Sequence, residues 1–342
     1  MGRPTIRDLA MAADVSVATV NRVLAGSGHV RPPTMQRVMA AAEAIGFYGI
    51  GAIHSRVAAA RAKYRFGFLL HQPSRAFYQN LAAALRAAAG RMQDCEIDAR
   101  IEFLDDLSPE TTAAHMVALG RDCDALGVVA AVHPLVTQAI EALQEQGKPV
   151  FSLVSQLSAT GEVHYVGLDA WKVGRTAAWA VHHLCKGPGK LGILVGNHRY
   201  RCQEMNESGF RSYFREHAPD FTLLEPLSTF ETRAVAQEMT ERLLREHSDL
   251  AALYVAGGGI SGALAGLRAS GRAGGLVVVG YELMDITRAA LLDRTLTFVI
   301  SHPLERLADA AMAGMVRAAE AGPGGGSYTS VLPFEIYTAE NI

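Results

Sequence analysis

The sequence predicts a small all-α head followed by an α/β body, the body made of two doubly wound parallel-sheet lobes with a cleft between them. Three observations predict this. Residues 4–46 hold three short stretches of helical period separated by turn residues. From Tyr64 onward, short apolar runs alternate with helical stretches, the pattern of parallel strands covered on both faces. Charge divides at the same place: residues 1–63 carry eight Arg and Lys against three Asp and Glu, a net +5, whereas the whole chain is −2, which leaves −7 for the rest. A basic head on an acidic body suits a head that meets a polyanion.

The head reads in order as follows. Thr5 precedes Ile6-Arg7-Asp8, a capping-box pattern, and Ile6, Leu9, Ala10 and Ala13 share one helical face. Asp14-Val15 makes a turn. Ser16 caps a second helix that runs to about Leu24, where Gly26-Ser27-Gly28 ends it. Arg31-Pro32-Pro33-Thr34 opens a third helix, with prolines where a missing N–H costs least. That helix carries Val38, Ala41, Ala42 and Ile45 inward and stops at Gly46. Residues 49–63 change character and read as a linker, with a segment from Ile53 to Ala60 too short to be helical alone in water.

In the body, strands are predicted at 66–70, 125–131, 150–153, 165–168, 191–195, 250–255, 276–279 and 297–300. Helices are predicted at 79–92, 134–146, 171–185, 206–216, 232–246, 261–270 and 303–320. Eight strands over ~280 residues suit two lobes better than one. The resulting division is a head at 1–48, a linker at 49–63, a first lobe at 64–163 with about 291–322, and a second lobe at 164–290 with about 323–342.

The second helix has two faces. Val20, Val23 and Leu24 point inward. Val17, Ala18, Asn21 and Arg22 gather on the other side, because positions i, i+1, i+4 and i+5 cluster at 3.6 residues per turn. Arg pairs bidentately with guanine, Asn pairs with adenine or phosphate, and small apolar groups meet a thymine methyl. Thr5, Ser16, Thr19, His29 and Thr34 are candidates for phosphate bonds. This is the composition of a helix-turn-helix reading double-stranded DNA.

Three segments carry a family resemblance: Pro4 to Ala10, Val15-Ser16-Val17-Ala18-Thr19-Val20-Asn21-Arg22-Val23-Leu24-Ala25-Gly26, and Val38 to Phe47. Together they resemble the head of the lactose/galactose repressor (LacI-type) family, and the likeness continues through the body. The resemblance implies a homodimeric transcription regulator, most often a repressor, with two heads on the half-sites of a pseudo-palindromic operator. It implies a hinge at the minor groove, with Ile53 on a helix position and Val57 as the apolar wedge. The family's usual Leu wedge and preceding Pro-Asn are replaced here by Val57 and Gly51-Ala52, which leaves the degree of operator bending open.

The resemblance also implies a body like periplasmic sugar-binding proteins, holding a sugar, polyol or sugar derivative at the carboxyl ends of the strands. Phe77 and Tyr78 match aromatics that flank the sugar, whose C–H face suits a flat ring. Glu282 stands where Asp is frequent, Asn206 where Arg is common and Gly257 where Asn is common. Ser155 replaces an Arg and His133 an Asp. Ser301 and His302, before Pro303, stand where Gln-Asp is frequent. Arg201 is a candidate for supplying the missing positive charge. These departures point away from a simple neutral hexose.

Two rival readings have sequence features of their own. Gly257, Gly259 and Gly262 follow a strand in GxGxxG spacing, with Glu282 at the end of the next strand, imitating the fingerprint of an NAD-linked oxidoreductase. A solute-binding protein without a regulatory role is the other; it lacks an explanation for the head. Enzyme chemistry is not predicted: Ser261 does not fit GxSxG, and His182-His183 have no carboxylate or thiol at metal-ligand spacing. Cys95, Cys123, Cys185 and Cys202 include no CxxC, so neither a disulfide frame nor a metal is expected, and no cofactor. Mean hydropathy is +0.13, yet no apolar run approaches the ~20 residues of a membrane span. The first residues lack a secretory h-region, which predicts a cytoplasmic chain.

Overall fold

The computed structural model describes residues 3–26, 30–53, 61–322 and 324–342. The head contains α1 (Ile6–Ala12), α2 (Val17–Ala25) and α3 (Pro32–Ala44). The capping box forms: the Thr5 side chain accepts from the Asp8 N–H, and Asp8 accepts from the Thr5 N–H at 2.7 Å. Asp14 takes a left-handed conformation, φ 51, that turns the chain into Ser16. Ser16 then caps α2 by accepting from the Thr19 N–H at 3.1 Å. At the end of α3, Gly46 is left-handed and the Phe47 N–H reaches back to the Ala42 carbonyl at 2.9 Å, a Schellman closure. Leu9, Val20, Val23, Val38, Ala42 and Phe47 form the head's core. Residues 50–53 are again helical.

The body begins with β1 (Ala62–His71), α4 (Ala76–Arg91), β2 (Cys95–Leu104), α5 (Pro109–Arg121), β3 (Ala125–Val128), α6 (Pro134–Glu145), β4 (Val150–Leu153) and β5 (His164–Leu168). It continues with α7 (Ala170–Leu184), β6 (Lys190–Val195), α8 (Arg201–His217), β7 (Thr222–Leu223), β8 (Leu227–Ser228), α9 (Arg233–Glu246) and β9 (Leu250–Val255). Next come α10 (Ile260–Ala269), β10 (Val277–Tyr281), α11 (Asp285–Leu292), β11 (Phe298–Ser301), α12 (Leu304–Ala321), β12 (Thr329–Leu332) and β13 (Glu335–Tyr337).

One sheet has the order β12-β5-β4-β3-β1-β2, the other β13-β11-β10-β9-β6-β7 with β8 also on β6. The central strands are parallel, in registers such as Phe66↔Ala125 and Val278↔Leu253. β13 runs antiparallel on β11. The inner strands are buried along their whole length, as both faces are covered. In the second lobe, α7 and α8 pack on one face around Val173, Phe210 and Tyr254, and α9, α10 and α11 pack on the other around Leu243, Leu264 and Leu291.

The lobe boundaries differ from those expected. β5, placed by the sequence reading in the second lobe, pairs with β4 and completes the first sheet. β11, placed in the first lobe, pairs with β10 in the second sheet. β12 then returns to the first sheet beside β5, and only β13 belongs to the second. The chain therefore crosses between lobes three times. An apolar strand seeks any parallel neighbour with free N–H and C=O groups, and nothing in its own residues says which sheet supplies one.

Candidate functional site

In the head, Val20 and Val23 are buried, and Val17, Ala18, Asn21 and Arg22 are exposed together on the opposite face of α2. The Arg22 Nε donates to the Ala18 carbonyl at 3.3 Å, which lays the guanidinium along that face. Val17 is 40% exposed, an apolar side chain with nothing of the head's core over it. Thr5 and Ser16 serve as caps, Thr19 bonds Ser16 at 2.9 Å, and Thr34 is half-buried in the first turn of α3. His29 and Val57 lie outside the described residues. Ile53, expected at the minor groove, is fully buried in the head's core instead. Burying its whole side chain there contributes about 1.5–3 kcal/mol that exposure would forfeit.

In the body, a cavity of about 670 Å³ opens at the carboxyl ends of both sets of strands. That is within the usual size of a small-molecule site, about 300–1,000 Å³. The first lobe contributes Gln72, Ser74, Arg75, Phe77, Tyr78 and Ser155, and the second contributes Tyr200, Gln203, Glu231, Arg233, Tyr281 and Glu282.

Contacts join the two walls. Arg75, in the turn between β1 and α4, donates its Nη1 to Glu231 Oε2 at 2.5 Å and its Nη2 to the Glu231 carbonyl. Its Nε donates to Gln72 at 2.6 Å, so the fork is fixed at three points. Glu231 is steadied on its own side by Gln203 Nε2 at 2.7 Å. Phe230 and Glu231 are both left-handed, with φ 49 and 58. Two consecutive non-glycine residues in that region are held by their surroundings at a cost of order 1–3 kcal/mol each. The Val132 N–H meets the Arg199 carbonyl at 2.8 Å, and the Cys202 N–H approaches Ser155 Oγ at 3.4 Å.

The glycines of the imitation fingerprint have a different use. A Cβ on Gly257 would strike the Gln203 side chain, and one on Gly258 the Glu231 carboxylate. A Cβ on Gly262 would strike the Arg233 carbonyl, so that glycine lets α9 and α10 pack closely. The loop is shaped around the chain's own side chains.

The second carboxylate, Glu282, sits at a left-handed position with φ 70. It accepts from Ser301 Oγ at 3.2 Å and the His302 N–H at 3.1 Å, and its Oε1 meets His302 Nδ1 at 2.5 Å. His302 is 2% exposed, and its Nε2 has no partner among the described residues. Phe77 lies 5.9 Å from the His302 ring, centre to centre. His71, at the end of β1, is enclosed by Tyr78 and Tyr200 at 5.0 and 5.3 Å. Burial pushes its pKa down to about 4, the Arg75 charge acts in the same direction, and a bond with the Val129 backbone opposes. Burial raises the Cys202 thiol to about 12, so it stays protonated. Burial, then the Glu231 charge, raises the Tyr78 hydroxyl well above its ordinary value.

Of the residues expected at the ligand, the structure brings Phe77, Tyr78, Ser155, Gly257 and Glu282 to this cavity. Ser301 stands behind Glu282. Asn206 is fully buried in α8, where its amide bonds the Ala256 carbonyl at 3.1 Å and holds the end of β9. His133 caps α6 by accepting from the Leu135 N–H at 3.3 Å. Arg201 lines a separate hollow of about 230 Å³ beside Trp171 and Met205. Sequence reasoning passed over Arg75, Tyr200, Gln203 and Glu231, and it noted His302 without pairing it to Glu282. Arg75 stood in a segment already singled out for its aromatics, but Glu231 lies 156 residues away, with no local signal to join them.

The chain matches the family described as periplasmic binding protein domain over residues 66–323, and bacterial regulatory proteins, lacI family, over residues 5–49. It is 39% identical over 94 residues to the maltose regulon regulatory protein MalI of Escherichia coli (strain K12), covering 26% of each chain. It is 26% identical over 173 residues to catabolite control protein A of Priestia megaterium, covering 48% of this chain and 47% of that one. The matched segments thus span about a quarter and about half of these two relatives. GanP, a glucose-galactose binding protein from Geobacillus stearothermophilus, has the same fold with a TM-score of 0.74 at 15% identity, over 82% of this chain and 99% of that one. Among the described residues no helix is long and apolar enough to cross a membrane. The chain belongs to the periplasmic binding protein domain family and carries a lacI-family regulatory head at residues 5–49.

Proposed function

We propose that this protein is a sequence-specific transcription regulator, acting in the cytoplasm as a homodimeric repressor, whose operator binding is set by a small sugar-like ligand in the cleft. The observation that carries the reading is the exposed face of α2. Val17, Ala18, Asn21 and Arg22 stand clear of the head's core on a helix capped at its first residue, the shape and chemistry a major groove accepts. Two heads on one duplex are needed because a single small head makes too few contacts for specific binding. The body supplies the sensor: a two-walled cavity with aromatic faces and converging polar groups. A ligand that fits the closed arrangement of the lobes better than the open one shifts the protein toward closure. The chemistry of the cavity supports binding rather than turnover: its carboxylates are bonded to the chain's own donors, and its thiol is held protonated.

Arg22→Ala tests the reading. In the homodimer it removes one bidentate base contact from each half-site, about 1–3 kcal/mol apiece, so operator affinity falls roughly thirtyfold or more in a footprinting titration, while binding of sugars in the cleft is unchanged. An unaltered footprint refutes the assignment of α2.

A further inference from the structure

We propose that the ligand of the cleft carries an anionic group, a carboxylate or a phosphate, on its sugar or polyol frame, and that Arg233 selects for it. This rests on the reading that the cleft holds a sugar-like molecule. A neutral sugar presents a rim of hydroxyls, each with a hydrogen to donate, and carboxylates are the side chains best suited to accept them. Both carboxylates in this cavity are already engaged. The Glu231 carboxylate receives Arg75 Nη1 and the Gln203 amide, and its backbone carbonyl receives Arg75 Nη2. Glu282 receives Ser301 and, twice, His302. The Gln203 carbonyl is taken by the Asn197 N–H at 3.0 Å, and the Gln72 carbonyl by Arg75.

Donors remain. Arg233 lines the cavity, and its guanidinium has no ion pair or hydrogen bond among the described residues. The hydroxyl of Tyr281, also on the wall, is likewise without a hydrogen-bond partner there. Arg233 is also held in place. It opens α9, and its backbone carbonyl packs against Gly262 of α10, so the side chain springs from a fixed point beside Ser261. Arg75 is held by Glu231, and Glu282 by Ser301 and His302, which leaves Arg233 as the charged side chain of the lining without a partner among the described residues. An acceptor-rich, anionic ligand answers this inventory, and a neutral sugar leaves the charge unanswered. Between two closing walls the attraction is stronger than in bulk water.

Isothermal titration of the full chain with matched pairs tests this: glucose against glucuronate and glucose 6-phosphate, ribose against ribose 5-phosphate, with inorganic phosphate as a control. At least one anionic partner is expected to bind tenfold or more tightly than its neutral parent. The acid and phosphate arms separate the two sources of charge. Arg233→Gln should reduce that preference to within about threefold, and Arg233→Lys should restore most of it. Arg233 is exposed, so the melting points of the unliganded variants should match the parent. Neutral sugars binding as well as their anionic partners, or a preference that survives Arg233→Gln, overturns the proposal and leaves the sugar-sensing reading intact. Binding of no sugar of either kind overturns that reading and this proposal together.

Discussion

His71 illustrates how one buried ring ties stability to acidity. Its folded pKa of about 4 lies below its ordinary value of 6.5. The folded protein therefore binds fewer protons than the unfolded chain between those limits, and stability is lost as pH falls from about 6.5 toward 4. At about 1.4 kcal/mol per pH unit, the contribution is fully present at pH 7.5 and reduced by about 2 kcal/mol at pH 5. Denaturant unfolding of the parent and His71→Gln at both pH values measures it. The parent should lose about 2 kcal/mol more than the variant, and equal losses would show that the ring is not kept neutral. The aromatic side of this site was legible in the sequence, because Phe77 and Tyr78 follow an apolar strand end. The charged side was not. The Arg75–Glu231 pair depends on two left-handed residues at 230 and 231, and neither Phe nor Glu advertises that conformation. Glu282 and His302 were both visible but not as a pair, since 20 residues separate them and only the parallel alignment of β10 with β11 brings them together.

Helices of the second lobe meet by backbone rather than by side chain. A Cβ on Gly174 of α7 would strike the Asn206 carbonyl of α8, and a Cβ on Gly209 of α8 would strike the Trp171 carbonyl of α7. Helix propensity alone favours Ala over Gly by about 1 kcal/mol. At Gly174 the obstruction is a main-chain atom that cannot rotate away, so Gly174→Ala should destabilise by about 1–3 kcal/mol or more. Gly90 of α4 has open space where its Cβ would be, so Gly90→Ala should stabilise by about 0.5–1 kcal/mol. Thermal melts of the two variants should move in opposite directions, and a shift of the same sign in both would refute the close crossing. The sequence showed its elements best where they are apolar throughout. β2 was missed because Glu96, Asp98, Arg100 and Glu102 alternate along an edge strand whose burial alternates too. The Ala- and Thr-rich α5 was missed because its apolar stripe is weak, and α11 because eight residues are too few for a helical period to stand out.

Across the whole molecule, the proposed regulation makes a thermodynamic demand that needs no knowledge of the path between sites. If a cleft ligand weakens operator binding by some factor, operator DNA must weaken ligand binding by the same factor. Titrating the ligand into free protein and into protein saturated with operator measures this; factors that disagree would mean that the two sites are not coupled through binding equilibria. Two lobes were legible from the count of strands, but the path between them was not, because pairing partners lie far apart along the chain. That path bears on how the protein is made. Residues 329–332 add a strand to one sheet and residues 335–337 add a strand to the other. A ribosome must therefore have passed residue 332 before the first sheet has all its strands and residue 337 before the second does, and until then the nascent chain exposes unpaired strand edges that chaperones would have to shield.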